Sequence, residues 1–144
     1  MMLLRQLTCV AIGGRAVLID GSSGSGKSSL ALALIDRGAA LVGDDGVALR
    51  VESGVLLASP VPATRGLIEV RGVGLMPMAA VENMPVALLI RLTHDAPRYV
   101  ETPRHEDILG VDLPLLELYP DSPVLALRAT IALDVHGLPV APLS

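Results

Sequence analysis

The chain has 144 residues, enough for one domain with its own core, and 51% of them are hydrophobic. Only 1% are aromatic, with two Tyr and no Phe or Trp, so that core must be built from Leu, Val, Ile, Ala and Met. The net charge of −4 excludes a general affinity for nucleic acid, the single Cys9 excludes an internal disulfide and suits a reducing cytoplasm, and no apolar run is long enough to span a bilayer.

Residues 1–12 lack a small-residue cleavage site and run straight into a strand pattern, so they read as structure and not as a signal peptide. Residues 7–12 and 16–20 form a hairpin pattern around the turn Gly13-Gly14. A glycine-rich loop follows, and then residues 29–37 read as a helix stopped by Gly38. Residues 39–43 are a further strand ending on Asp44-Asp45, and residues 47–51 and 55–58 pair across Glu52-Ser53-Gly54. The prolines of residues 59–66 mark a loop, and residues 67–76 are apolar with charges set between glycines. Residues 86–91 read as a buried strand, and residues 93–107 as a long polar loop, either mobile or functional, with room for a helical turn. Residues 113–118 are ambiguous between strand and loop. Ser122-Pro123 then opens a helix on which Val124, Leu127, Ile131 and Val135 recur at helical spacing up to Gly137. No repeat, low-complexity tract or domain boundary is visible, so residues 1–144 read as one domain.

The run Gly21-Ser22-Ser23-Gly24-Ser25-Gly26-Lys27-Ser28 fits the phosphate-loop pattern G-x-x-x-x-G-K-[ST]. By average composition that pattern arises at about 3 in 100,000 positions, so its place between a strand and a helix makes it specific. The glycines let backbone N–H groups turn toward phosphate oxygens, and the helix N-terminus adds partial positive charge. Lys27 is positioned for the β- and γ-phosphates of ATP, and the Ser28 hydroxyl for Mg²⁺. Ser29 completes the nucleotide-binding stretch.

A phosphate loop needs a further carboxylate and a group that handles the nucleophile. Asp44 and Asp45 follow the strand after the loop helix, and in a parallel α/β sheet that strand ends at the edge where the loop lies. Two adjacent carboxylates repel, which favours one of them as a base. Glu69 and Arg71 alternate onto one face of a strand, offering a carboxylate for Mg²⁺ and a guanidinium for phosphoryl charge, or else a surface ion pair. His94, His105 and His136 show no metal-ligand spacing and read as loop and helix-end residues.

Taken in order, the loop Gly21–Ser28, the run Arg37-Gly38-Ala39-Ala40-Leu41-Val42-Gly43-Asp44-Asp45 and the run Leu67-Ile68-Glu69-Val70-Arg71-Gly72-Val73-Gly74 resemble the HPr kinase/phosphorylase family. The resemblance covers nearly the whole chain and implies the short form, the C-terminal kinase domain alone. It implies an α/β P-loop kinase domain with a mixed sheet, similar also to phosphoenolpyruvate carboxykinase around the nucleotide. It further implies an ATP- and Mg²⁺-dependent kinase acting on a serine of the phosphocarrier HPr or an HPr-like protein, working in the cytoplasm as a homo-oligomer, a hexamer in the family. By the same resemblance Lys27 is the loop lysine, Ser28 and Glu69 are Mg²⁺ ligands with Asp45 beside them, and Asp45, next to Asp44, takes the serine proton.

The chain departs from that family at three places. Gln6 stands where the family has a histidine, Ser29 where it has an acid, and Ile108 where it has an arginine before Leu109-Gly110. The family loop tied to phosphorolysis has no match across residues 123–134, and Arg98 or Arg104 is the local replacement cation. Kinase activity is therefore expected ahead of phosphorylase activity. A nucleotide-binding regulatory module without turnover and a small-molecule P-loop kinase are the rival readings.

Overall fold

A computed structural model describes residues 1–140. The last four positions of the expected 1–144 domain therefore lie outside the described residues. In chain order the elements are β1 (Met2–Arg5), β2 (Thr8–Ile12), β3 (Arg15–Gly21), α1 (Lys27–Asp36), β4 (Ala40–Gly43), β5 (Val47–Glu52) and β6 (Val55–Pro60). A short 3-10 turn at Pro62–Thr64 leads to β7 (Leu67–Val70), β8 (Gly74–Pro77), β9 (Met84–Leu92), β10 (Arg104–Ile108), β11 (Val111–Leu118) and α2 (Leu125–His136).

Among the described residues a nine-stranded mixed sheet runs β1-β5-β6-β9-β3-β2-β4, with β11 also on β9 and β10 outside β11. The start of β9 pairs antiparallel with β6 at Met84 and Pro85, and its end pairs parallel with β11 from Leu89 to Leu92. The sheet therefore branches at β9 and curls. β3 sits in the middle, parallel to β9 and antiparallel to β2.

This topology places the site. β4 is not the neighbour of β3; β2 lies between them and runs antiparallel to both. Two reversals leave β4 running in the direction of β3, so their C-terminal ends meet at one edge. The expectation that Asp44-Asp45 would reach the loop edge holds, although the two strands do not pair.

The core has two faces because the central strands are covered on both sides. Along β3, Val17 and Ile19 face the helices, with Leu30 and Leu34 of α1 and Leu133 of α2. Ala16 and Leu18 face the opposite layer, with Leu49, Leu56 and Leu113. A strand buried on both faces reads as a continuous apolar run, which is what residues 16–19 show. Without aromatics, the layers close by interdigitating aliphatic chains.

Four expectations change. α1 begins at Lys27, two residues before the helix expected at 29, because Gly26 at φ +101° already serves as its N-cap. Residues 104–107, expected as the end of a loop, belong to β10, which pairs with β11, and the ambiguous residues 113–118 lie in that same hairpin. Strand pairing of this kind is a tertiary gain that polar side chains do not announce. Residues 67–76 form a separate hairpin, β7–β8, and Arg71 lies in its turn, not on the strand face of Glu69. Finally, Val124, Leu127, Ile131 and Val135 are 42 to 66% exposed, whereas Leu125, Ala129, Ala132 and Leu133 pack inward. α2 is apolar on both sides, and the alanines allow the closer approach to the sheet, so spacing alone cannot choose the face.

The orientation of α2 can be checked directly. Leu133→Ala should cost about 2–5 kcal/mol, as for a fully buried leucine, and Ile131→Ala should stay within about 0.5 kcal/mol. Urea midpoints of the two variants measure the difference. A larger loss in Ile131→Ala than in Leu133→Ala would place the other face inward.

Candidate functional site

The loop from Gly21 to Gly26 leaves β3 and enters α1. Gly26 holds a left-handed conformation that a side chain would oppose, and the first turn of α1 carries no acidic residue. The helix N-terminus thus keeps its partial positive charge for an anion. A cavity of about 950 Å³ opens over it. Gly21, Ser23, Gly24, Gly26, Lys27, Ser28 and Ser29 border this cavity, and so do Asp45, Glu69 and Arg71. Ser22, Ser25 and Asp44 do not border it.

Asp44 nevertheless organises the floor. Its Oδ1 accepts the Ser28 hydroxyl at 2.6 Å and the Thr8 hydroxyl at 3.2 Å, and its Oδ2 accepts the Glu69 backbone N–H at 2.9 Å. With its proton given to Asp44, the Ser28 oxygen keeps its lone pairs for a cation. Asp45 adopts φ +54°, a conformation aspartate tolerates, and this turns it away from its neighbour. Its side chain is 70% exposed, with Oδ1 3.9 Å from Lys27 Nζ. The paired carboxylates therefore take different environments: one clamped by donors, one open beside the lysine.

Thr8 is the residue that sequence reasoning missed. It is fully buried, the one polar side chain so placed among the described residues. Its hydroxyl donates to Asp44 and accepts the Asp45 backbone N–H at 3.2 Å. The available signal was a lone hydroxyl opening the apolar run of residues 7–12. Arg5 and Gln6, at the end of β1, also border the cavity, so Gln6 stands at the site even though it is not a histidine.

Other candidates fall elsewhere. Arg104 pairs with Glu117 at 3.1 Å on the β10–β11 hairpin, and neither Arg98 nor Arg104 borders the cavity. Ile108 is buried in the core, so the place of the family arginine points away from the site. His94 Nε2 lies 2.6 Å from Asp121 Oδ2 and its ring meets Tyr119 edge-on, while His105 Nδ1 lies 3.2 Å from Asp112 Oδ2. His136 ends α2. Burial pushes the Cys9 thiol well above its usual range, so it is an inert core residue.

Among the described residues no group of three or more His, Cys, Asp or Glu is arranged to hold a metal alone. The oxygens of Ser28, Asp45 and Glu69 at the cavity are of the hard kind that suits a cation arriving with phosphates, since Mg²⁺ is usually held by one or two carboxylates and the nucleotide. No helix among the described residues is long and apolar enough to cross a membrane.

The fold and site define the class: an α/β domain with a curled mixed sheet and a glycine-rich loop at the C-terminal edge of its central strand. The chain belongs to the HPr Serine kinase C-terminal domain family, whose model matches residues 5–119. It is 35% identical over 114 residues to the HPr kinase/phosphorylase of Clostridium botulinum (strain Eklund 17B / Type B), covering 71% of this chain and 38% of that protein. It is 34% identical over 140 residues to the HPr kinase/phosphorylase of Chloroherpeton thalassium, covering 87% of this chain and 41% of that one. The solved structure of the HPr(Ser) kinase/phosphatase from Coxiella burnetii superposes with a TM-score of 0.83 at 31% identity, covering 93% of this chain and 95% of the other. The chain thus spans about two fifths of the length of the curated relatives it matches.

The clamp on the carboxylate pair has a measurable weight. Thr8→Val leaves the Asp45 N–H without its buried acceptor and should cost about 1–3 kcal/mol, with Thr8→Ser recovering most of it. Denaturant midpoints of the three proteins provide the comparison.

Proposed function

We propose that this chain is the catalytic domain of a serine kinase that uses ATP and Mg²⁺ to phosphorylate HPr or an HPr-like phosphocarrier. The observation that carries the reading is Asp45, open to the cavity and beside Lys27. Lys27 and the loop amides hold the phosphates. Ser28 and Glu69, beside Asp45, would hold Mg²⁺, which neutralises phosphate charge. Asp45 takes the proton from the substrate serine as its oxygen bonds to the γ-phosphorus. The bond to the β-phosphate oxygen breaks, and ADP leaves. Arg71, in the hairpin turn, supplies positive charge at the transferring group. The single buried thiol goes with a cytoplasmic setting.

A regulatory module without turnover is the second reading, favoured by Gln6 at the cavity wall and by the buried Ile108. A small-molecule kinase is the third. Incubation with Mg-ATP and purified HPr, followed by detection of phosphoserine, separates the three: phosphoserine supports the first, binding without transfer the second, and ATP consumption only with a small acceptor the third.

Lys27→Ala should abolish Mg-ATP binding in calorimetry, because it removes the cation aimed at the phosphates. Asp45→Asn should leave that binding nearly intact and slow single-turnover transfer by about 10²–10⁴-fold, the contribution of a positioned base. Unchanged transfer would move the role to another residue.

Phosphorolysis of phosphoserine-HPr is expected to be slower than the forward reaction. Two anions must meet there, and among the described residues Arg5 and Arg71 are the arginines that border the cavity. Pyrophosphate release as fast as the forward reaction would overturn this.

A further inference from the structure

We propose that Arg91 is a positioning residue for the phosphate loop, acting through Asp20; the role rests on the nucleotide reading above. Asp20 precedes Gly21 and borders the cavity. A free carboxylate at that lip would repel phosphate. It is not free. Its Oδ1 accepts the Gly21 backbone N–H at 2.8 Å, and its Oδ2 accepts Arg91 Nε–H at 3.0 Å. Arg91 reaches it from the paired position on β9. The other end of the guanidinium donates to Glu106 Oε1 of β10 at 3.2 Å. Three strands thus converge on the residue that opens the loop.

The loop's own geometry makes that grip matter. A Cβ at Gly21 would run into the Ser25 hydroxyl, so the loop closes on itself there with no room to spare. The Ser25 Oγ is buried and has no hydrogen-bond partner among the described residues. The Asp20 bond to the Gly21 amide therefore holds one side of a closed ring, and Arg91 holds Asp20. Burial works against the guanidinium charge, but the hydrogen bonds and negative charge of Asp20 and Glu106 outweigh it and raise the Arg91 pKa. Neither Arg91 nor Glu106 borders the cavity, so their influence on a ligand passes through Asp20.

The test is calorimetric titration of the full chain with Mg-ATP. Arg91→Gln leaves Asp20 uncompensated at the loop and should weaken binding at least about tenfold. Adding Asp20→Asn to that variant should restore affinity to within about threefold of the parent, a non-additivity that a merely destabilised fold does not produce. Unchanged affinity in Arg91→Gln overturns the role, and so does a double variant no better than the single one. Should Arg91→Gln not fold, Arg91→Lys carries the test. It keeps the charge but not the fork that spans both carboxylates, and should bind about three- to tenfold more weakly; parent affinity there overturns the role. If the parent itself binds no Mg-ATP, the nucleotide reading fails first and the positioning role with it. Failure of the positioning role alone leaves parent binding intact.

Discussion

The Asp44 carboxylate is the constraint on which the site depends. One side chain joins three parts of the chain: Thr8 on β2, Ser28 at the start of α1 and the backbone of Glu69 on β7. Hydrogen bonds to a charged group contribute about 1.5–3 kcal/mol each, so a half-buried carboxylate with three donors is held firmly. The hairpin β7–β8 lies off the main sheet and is fixed from two directions, by this bond and by the fully buried Ile68 in the helix-side core. That double attachment brings Glu69 and Arg71 to the cavity wall.

The other acids of the site differ in how they are held. Asp20 is engaged by Arg91 and the Gly21 amide, whereas Asp45 keeps most of its surface open near Lys27. In a cavity that borders a helix N-terminus, carboxylates engaged by donors repel an anion less than free ones. The exposed Asp45 and Glu69 carboxylates have no such donors among the described residues and face the cavity. The separation of Asp44 from Asp45 by a positive φ at Asp45 produces this division within two adjacent identical residues.

The aliphatic core supports the arrangement without contributing to the chemistry. Fully buried Val17, Leu18 and Ile19 lock β3 between two layers, so the strand that carries the loop cannot shift along its axis. α1 packs Leu30, Ala31 and Leu34 against that core directly after Lys27 and Ser28, so the loop is anchored at both ends by buried apolar side chains.

The loop, its flanking strand and helix, the Asp44-Asp45 pair and the β5–β6 hairpin were legible in the sequence. Each depends on local chemistry: glycine where the backbone must turn, an apolar run where a strand is buried, a turn signal between two strands. What the tertiary structure decided were matters of distance between remote residues. Thr8 carries no local sign of its role, because only the insertion of β2 between β3 and β4 brings it under Asp44. Residues 104–107 read as loop because their strand is stabilised by β11 and by Arg91, not by their own hydropathy. The exposed face of α2 could not be chosen from spacing, because both faces are apolar and only the fit of small alanines against the sheet selects one. The sequence by itself determined which chemical groups are present and where the phosphate loop lies. Which carboxylate is clamped and which stays open was decided by the fold, because hydrogen bonds between residues 16 to 71 positions apart exist only once the strands are in register.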